Sequence, residues 1–163
     1  MPLRRRALAL GLACGALAVA GCGDSTEEEA APPPAAAATP APTKPEVTVP
    51  TGKAPEQLVK TDLRPGNGPA AKPGQTVQVQ YVGVSYLNGR QFDASWDTGE
   101  PFSFQLGAGQ VIPGWDIGVA GMRVGGRRQL VIPPDQAYGA QGSPPTIGPN
   151  ETLVFVIDLL AVQ

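Results

Sequence analysis

Apolar residues at alternate positions constrain the fold of this chain more than any other feature of its sequence. In the stretch QTVQVQYVGVSY, Val77, Val79 and Tyr81 alternate with Gln78 and Gln80. This period of two predicts a β-strand with one buried face, because successive side chains of a strand point to opposite faces. The stretch PFSFQL alternates in the same way, and RRQLVIP and TLVFVIDLLAV are further strand-like runs. The sequence therefore predicts a mostly β domain.

Two of these runs also indicate how the strands are arranged. TLVFVIDLLAV is apolar at nearly every position, which is typical of a strand buried on both faces near the centre of a sheet. Asn88-Gly89 lies between two strand-like runs in SYLNGRQF. This pair favours a type I′ turn, in which both central residues have positive φ, so we expect a β-hairpin there.

One short segment, VIPGWDIGVAGM, has the pattern of a helix. Pro113 suits a first helical turn, and Trp115, Val119 and Met122 follow at helical spacing over about ten residues. Glycine costs about 0.5–1 kcal/mol relative to alanine within a helix, so this helix needs the sheet to hold it. Residues 56–163 are therefore expected to form one α+β domain, a sheet curled around one short helix.

The N-terminus has the pattern of a secretory signal peptide over residues 1–21. Three arginines precede an uncharged run of small and apolar residues that is shorter than the roughly 20 residues of a membrane span. The sequence VAGC at its end resembles the bacterial lipobox, which implies lipidation of Cys22 and a lipid-anchored protein on the extracytoplasmic face of the cell membrane. A retained anchor helix and a cleaved signal that releases a secreted protein are the alternatives.

Residues 22–55 have the composition of a tether. Proline and alanine dominate this segment and no aromatic residue occurs in it, so it cannot bury enough apolar surface to offset its ordering entropy. We expect a disordered, partly polyproline-like linker that holds the domain away from a membrane. It would span roughly 30 Å as a flexible coil or up to about 100 Å when extended.

Missing residue types exclude several kinds of function. The chain has no histidine, and its two cysteines are Cys14, within the predicted signal peptide, and Cys22. Catalysis by Ser-His-Asp or Cys-His groups and the commonest zinc sites are therefore excluded, and we expect no metal. The net charge of -2 gives no electrostatic reason to expect nucleic-acid binding.

Four blocks of the sequence together resemble the FKBP-type peptidyl-prolyl cis-trans isomerases: QYVGVSYLNGRQFDAS, PFSFQLGAGQVIPGWDIGVAGMRVGG, RRQLVIPPDQAYGAQG and TLVFVIDLL. The resemblance covers residues 56–163 and implies an antiparallel sheet of about five strands wrapped around one short helix, with an apolar pocket between them. It implies a pocket lined by Tyr81, Phe92, Asp93, Phe102, Val111, Ile112, Trp115, Tyr138 and Phe155, with Ile147 in an overhanging loop.

The resemblance also assigns catalytic roles to three of these residues. Trp115 would form the pocket floor, and Tyr138 O–H and the Ile112 backbone N–H would be donors to a substrate carbonyl. Asp93 would lie at the rim, near the rotating amide; a turn-capping aspartate is the alternative. The chain departs from many relatives at Ser143, at Thr98, where an arginine could pair with the aspartate, and at Val156.

The implied function is catalysis of Xaa-Pro isomerisation in proline-containing polypeptides outside the cytoplasm. This reaction needs no cofactor, nucleophile or metal, which fits the residues available. Macrolides of the rapamycin type are the expected inhibitors, and we expect a monomer. The alternative is a non-catalytic FKBP-like chaperone or adaptor that binds proline-containing segments. A solute-capturing lipoprotein has little support, because about 100 residues leave no second lobe to close on a ligand.

Overall fold

The computed structural model describes residues 43–163, so the predicted signal peptide, Cys22 and most of the predicted tether lie outside the described residues. Within this range no helix is long and apolar enough to cross a membrane. The strands are β1 (Val59–Arg64), β2 (Thr76–Ser85), β3 (Gln91–Ala94), β4 (Phe102–Gln105), β5 (Arg127–Ile132) and β6 (Leu153–Val162). The α-helices are α1 (Ser95–Thr98) and α2 (Pro113–Val119), and Pro134–Gln136 form a 3-10 turn.

The strands form one antiparallel sheet in the order β1-β5-β6-β2-β3, and β4 pairs with β2 beside β3. Strand β6 is central and its first seven residues are buried, as its apolar sequence predicted. The short strands β3 and β4 share one edge of β2, which contacts β4 with its first half and β3 with its second. The predicted antiparallel sheet around a short helix is confirmed.

Helix α2 packs closely against β5 because two of its residues are glycines. A Cβ atom on Gly114 would lie 2.4 Å from Ile132 Cγ2, and one on Gly118 would lie 2.4 Å from Leu130 Cδ1. Both distances are far below the normal carbon–carbon contact of about 3.5–4.0 Å, so a side chain at either position would push the helix outward. The helix has seven residues rather than ten, and Met122 lies beyond its end.

Three local features differ from the sequence-based expectations. Strand β1 was not predicted, although Val59, Thr61 and Leu63 alternate with charged residues; all six of its residues are exposed. The hairpin between β2 and β3 is present, but the type I′ turn is wrong: Gly89 has φ +70°, whereas Asn88 does not have positive φ. The loop between the strands has five residues, 86–90, and hydrogen bonds from Ser85 N to Arg90 O and from Gly89 N to Ser85 O close it. Helix α1 is a single turn too short to carry a periodic signal.

Residues 43–53, the N-terminal strap, contact the outer face of the sheet, which differs from the predicted disorder of this part of the tether. Val47 and Val49 pack against an outer apolar cluster formed by Val82, Val84, Ala94, Val131 and Val154. This cluster lies on the face opposite α2, because these residues alternate along β2, β5 and β6 with those of the main core.

Polar contacts also hold the strap. Gln129 Nε2 donates to Thr48 O over 2.7 Å, and Arg127 Nη2 donates to Thr43 O over 2.7 Å. Arg127 also makes a bidentate ion pair, at 2.8 Å for both bonds, with Asp158, which is 1% exposed in β6. The buried carboxylate is therefore paired, and its partner on β5 also binds the strap.

Candidate functional site

A pocket of about 520 Å³ with largely aromatic walls lies between α2 and the inner face of the sheet. Nine residues of the predicted site line it: Tyr81, Phe92, Asp93, Phe102, Val111, Ile112, Trp115, Tyr138 and Phe155. They come from β2, β3, β4, α2, β6 and the loops before α2 and after β5. The structure thus brings together residues spread over 75 positions of the chain (155 - 81 + 1).

Trp115 forms the floor of the pocket and is 4% exposed. Its ring meets Tyr81 edge-on at a centroid distance of 5.0 Å and Phe155 at 5.3 Å, with interplanar angles of 81° and 89°. Phe155 in turn meets Phe92 at 5.5 Å and 85°. Such edge-to-face pairs contribute about 0.5–1.5 kcal/mol each beyond the burial of their area, so the rings form a preorganised wall.

The floor tryptophan also has an unpartnered polar atom. Trp115 Nε1 is buried and has no hydrogen-bond partner within residues 43–163. The fold around it is apolar: Phe104 and Phe102 lie at centroid distances of 5.6 and 6.1 Å. An aromatic surface with few polar groups suits the pyrrolidine ring of proline, which has no donor of its own.

One polar pair lies at the rim of the pocket. The Tyr81 hydroxyl donates a 2.6 Å hydrogen bond to Asp93 Oδ2. Burial raises the pKa of Tyr81, and the hydrogen bond to Asp93 and the charge of that carboxylate raise it further, so the phenol stays protonated and remains a donor. Tyr138 is 41% exposed, and its pKa is raised by burial and by the charge of Asp93.

A buried hydrogen-bond chain fixes the position of Tyr81 relative to Asp93. The Tyr81 backbone N–H donates to Ser95 Oγ over 2.9 Å, and Ser95 Oγ donates to Gln80 Oε1. Ser95 and Gln80 are both buried. Since Ser95 follows Asp93 by two residues, these hydrogen bonds join β2 to the end of β3, next to the hydrogen bond between Tyr81 and Asp93.

The loop before α2 supplies lining residues that the sequence reasoning missed. Gly109 and Gln110 line the pocket beside Val111. Asp116, in the first turn of α2, accepts hydrogen bonds from Gly107 N (2.8 Å) and Gly109 N (3.1 Å) and so holds the loop against the helix. An aspartate shortly after a GAG run is a signal that could have predicted this loop contact.

The two predicted carbonyl donors lie on the pocket lining together. Ile112 is the residue before α2, and its backbone N–H donates no hydrogen bond within the part of the chain that the structure describes. Tyr138 lies shortly after the 3-10 turn that follows β5, and it also lines the pocket. A free N–H and a protonated phenol are the kinds of group that can hold a peptide carbonyl.

Ile147 lies in a loop, as the resemblance implied, but it is not among the residues that line the pocket. Its side chain is 6% exposed and belongs to the main core. Backbone hydrogen bonds from Ser143 N to Ile147 O (2.9 Å) and from Ile147 N to Ser143 O (3.0 Å) close the loop on itself. The same core cluster contains the pocket residues Trp115 and Phe155.

Thr98 and Val156, two of the departures noted in the sequence, have structural contacts. Thr98 Oγ1 donates to Ser95 O over 2.9 Å at the end of α1. Val156 is completely buried in β6. No group of three or more His, Cys, Asp or Glu residues within 43–163 is arranged to hold a metal ion.

The fold is an antiparallel sheet around a short helix, and the pocket between them has aromatic walls with polar groups among its lining residues. The chain belongs to the FKBP-type peptidyl-prolyl cis-trans isomerase family, which its residues 68–160 match. The family resemblance of the four sequence blocks is thereby confirmed, and with it the isomerase class of the protein.

Several relatives and solved structures are similar to this chain. An FK506-binding protein of Streptomyces anulatus is 58% identical over 120 residues, which cover 73% of this chain and 97% of that protein. A probable FK506-binding protein of Corynebacterium glutamicum is 49% identical over 118 residues, 72% and 98% of the two chains. The crystal structure of AtFKBP13 has a TM-score of 0.61 at 38% identity, covering 68% of this chain and 96% of that one.

FkpA from Escherichia coli is a further structural relative, with a TM-score of 0.60 and 46% identity. The match covers 65% of this chain and 48% of FkpA, so the chain spans about half the length of that protein.

Proposed function

We propose that the protein catalyses cis-trans isomerisation of Xaa-Pro bonds in polypeptides outside the cytoplasm, while a lipid on Cys22 attaches it to the cell membrane. The observation that carries the catalytic part is the aromatic pocket around Trp115, whose lining includes the two candidate carbonyl donors Ile112 and Tyr138. FK506 appears in the names of the bacterial relatives, and we extend the binding of such macrolides to this pocket.

The pocket can lower the barrier because the twisted amide is less polar than the planar one. Planarity comes from resonance, which also polarises the carbonyl and strengthens its hydrogen bonds with water. Moving the bond into an apolar pocket removes that water and destabilises the planar form more than the twisted form. Tyr138 O–H and Ile112 N–H then hold the carbonyl while the proline ring lies against the aromatic wall that Trp115 and Phe155 form.

The magnitude required is modest for an enzyme. The uncatalysed rotation takes tens to hundreds of seconds, and reaching milliseconds requires the barrier to fall by roughly 5–7 kcal/mol. Preferential binding of the twisted geometry and desolvation together have this scale, and neither needs a covalent step. Asp93 contributes by holding the Tyr81 hydroxyl at the rim and by its charge near the rotating amide.

A protease-free isomerisation assay on residues 43–163 tests the proposal. We expect acceleration that rapamycin-like macrolides inhibit, loss of most activity in Trp115→Ala and Phe155→Ala, and an intermediate loss in Asp93→Ala. Leu87→Ala is the matched control, because Leu87 is apolar, 85% exposed and outside the pocket lining. Binding of a proline peptide without turnover would instead favour a non-catalytic chaperone or adaptor.

Membrane attachment is tested by fractionation of cells that express the full chain. We expect Cys22→Ala to release the protein from membranes, because acyl chains contribute about 0.8 kcal/mol per buried methylene and this variant cannot carry them. Cys14→Ala is the control and should remain attached, since Cys14 precedes the predicted cleavage site. Membrane retention of Cys22→Ala would contradict the lipid anchor and favour a retained helix.

A further inference from the structure

The segment between the N-terminal strap and β1 has the features of a protease cleavage site. Residues 50–53 are all exposed, and their sequence is Pro-Thr-Gly-Lys. A Cβ atom placed on Gly52 would meet no atom within 4 Å. Exposed segments of small and polar residues such as this one are where proteases preferentially cut folded proteins.

Few contacts hold this segment in place. Residues 50–56 make no backbone–backbone hydrogen bond within the part of the chain that the structure describes. The Tyr86 hydroxyl donates to Lys53 O over a long 3.5 Å. The Lys53 ammonium group pairs with Glu56 over 2.7 Å, but the two side chains are 84% and 81% exposed, so water and salt weaken this pair. The segment can therefore enter a protease cleft without unfolding of the domain.

Lys53 is the residue of this segment that a protease can recognise by its charge. Between Cys22 and β1 the chain has two basic residues, Lys44 and Lys53. Lys44 precedes Pro45, and the bond to a proline is a poor protease substrate because the ring fixes φ and removes the N–H. Lys53 precedes Ala54, so its bond is open to a protease of the trypsin type, whose specificity pocket holds a carboxylate.

The basic residues that follow in the described chain are protected in other ways. Arg64 and Lys72 also precede prolines. Three more lie in strands that pair within the sheet: Lys60, Arg127 and Arg128. Cleavage beside these three residues requires the sheet to open first, which occurs rarely in a stable domain.

The last two basic residues, Arg90 and Arg123, lie in loops whose backbone is held by hydrogen bonds. Arg90 O accepts from Ser85 N over 2.9 Å, and Arg123 O accepts from Gly126 N over 2.9 Å. The carbonyl of the bond to be cut is thus occupied at both sites. Among the basic residues of the described chain, Lys53 alone combines exposure, a following residue other than proline and a backbone without backbone partners.

The contacts of the strap are too few to hold the domain once this bond is cut. Val47 and Val49 are half-buried on the outer apolar cluster, and two side chains of β5 donate to the carbonyls of Thr43 and Thr48. In the continuous chain the strap is present at an effective concentration on the order of millimolar. Cleavage removes this advantage, so the two parts separate on dilution.

We propose that a trypsin-like serine protease outside the cytoplasm hydrolyses the Lys53–Ala54 bond and releases residues 54–163 as a soluble, active isomerase. The acyl group of Lys53 passes to the protease serine and then to water, which leaves a carboxylate on Lys53 and an amine on Ala54. The pocket is unchanged, because every residue that lines it lies within 81–155. The release rests on the proposed lipid on Cys22, whereas the position of the cut does not.

The test treats membranes of cells that express the full chain with trypsin and analyses the supernatant by mass spectrometry and by the isomerisation assay. We expect a soluble fragment that begins at Ala54 and has the isomerase rate of the uncut chain. Lys53→Gln should slow its release by at least about thirtyfold, because the protease carboxylate loses its partner, and Lys53→Arg should keep it. Lys44→Gln is the matched control: it removes the strap lysine that precedes proline, and release should persist.

The outcomes separate this cleavage from the proposed function. A first cut after another basic residue, such as Arg90, or equal release of Lys53→Gln and the unaltered chain overturns the cleavage site. A fragment that begins at Ala54 but stays with the membranes overturns the release. An untreated chain in the soluble fraction overturns the lipid anchor alone, and the cut is then measured on that soluble chain. A chain without isomerase activity both before and after the cut overturns the isomerase alone.

Discussion

Replacing Gly118 by alanine tests whether close contact between α2 and β5 is what the helix glycines provide. The new methyl would lie 2.4 and 2.8 Å from the two δ-carbons of Leu130, which is completely buried. Overpacking of this kind costs about 1–3 kcal/mol. Alanine also improves helix propensity by about 0.5–1 kcal/mol. The overlap is the larger effect, so we expect a net loss of about 1–2 kcal/mol in the free energy of unfolding.

A second substitution identifies the clash as the cause. Leu130→Ala alone should cost about 2–5 kcal/mol, because it removes buried carbons and leaves a cavity. In the double variant the alanine at 118 no longer meets the δ-carbons and fills part of that cavity. The double variant should therefore be more stable than the sum of the single losses implies, by about 1–2 kcal/mol.

Urea unfolding of residues 43–163, monitored by tryptophan fluorescence and by circular dichroism, measures these free energies. Ile117→Ala is the control on the same helix, since Ile117 is 50% exposed, and it should change stability by less than about 1 kcal/mol. If Gly118→Ala raises the free energy of unfolding, or if the two substitutions are simply additive, helix contact with β5 does not explain the glycine.

The N-terminal strap, Tyr81 and Ser95 support three further predictions. A chain shortened to residues 56–163 should unfold about 1–2 kcal/mol more easily than 43–163 in urea, since two half-buried valines are lost, yet retain its isomerase rate. The pKa of Tyr81 is raised in the folded chain, so the unfolded chain loses this proton near pH 10.0 while the folded chain keeps it. The free energy of unfolding should therefore fall as pH rises above 10, and it should fall less in Tyr81→Phe. Ser95→Ala should lower kcat, whereas Ser95→Thr keeps the hydroxyl and should keep most activity. If Ser95 positions Tyr81 and Asp93, the losses of Ser95→Ala and Asp93→Asn should not be additive in the double variant; additive losses would contradict this role.

The inner half of the fold could be predicted because its sequence signals are local and periodic. Alternation in β2 and continuous apolarity in β6 reflect burial on one and on both faces, and the structure has both. The pocket residues were predicted from a family resemblance, since rings from four strands and a helix have no common spacing. The resemblance did not include Gly109 and Gln110; Gly109 N donates to Asp116, and Gln110 Oε1 accepts from Gln105 N.

Strand β1 and the N-terminal strap were not predicted from the sequence. Strand β1 pairs with β5 and its sequence alternates over only six residues, all of them exposed, so the short signal was overlooked. In the strap, Glu46-Val-Thr-Val49 alternates like a strand, but it lies within a segment rich in proline, whose composition predicted disorder. Its partners are valines on strands β2, β5 and β6, which no local pattern could indicate.

The glycines of α2 connect the stability of the domain with its site, although neither of them lines the pocket. Trp115 lies between Gly114 and Gly118 on the same buried face of the helix, and the distance of α2 from β5 sets the depth of the pocket floor. An added methyl at Gly118 would therefore push Trp115 outward from Tyr81 and Phe155 as well as strain the core. The strap packs on the opposite face of the sheet, so its loss should lower stability without moving the floor.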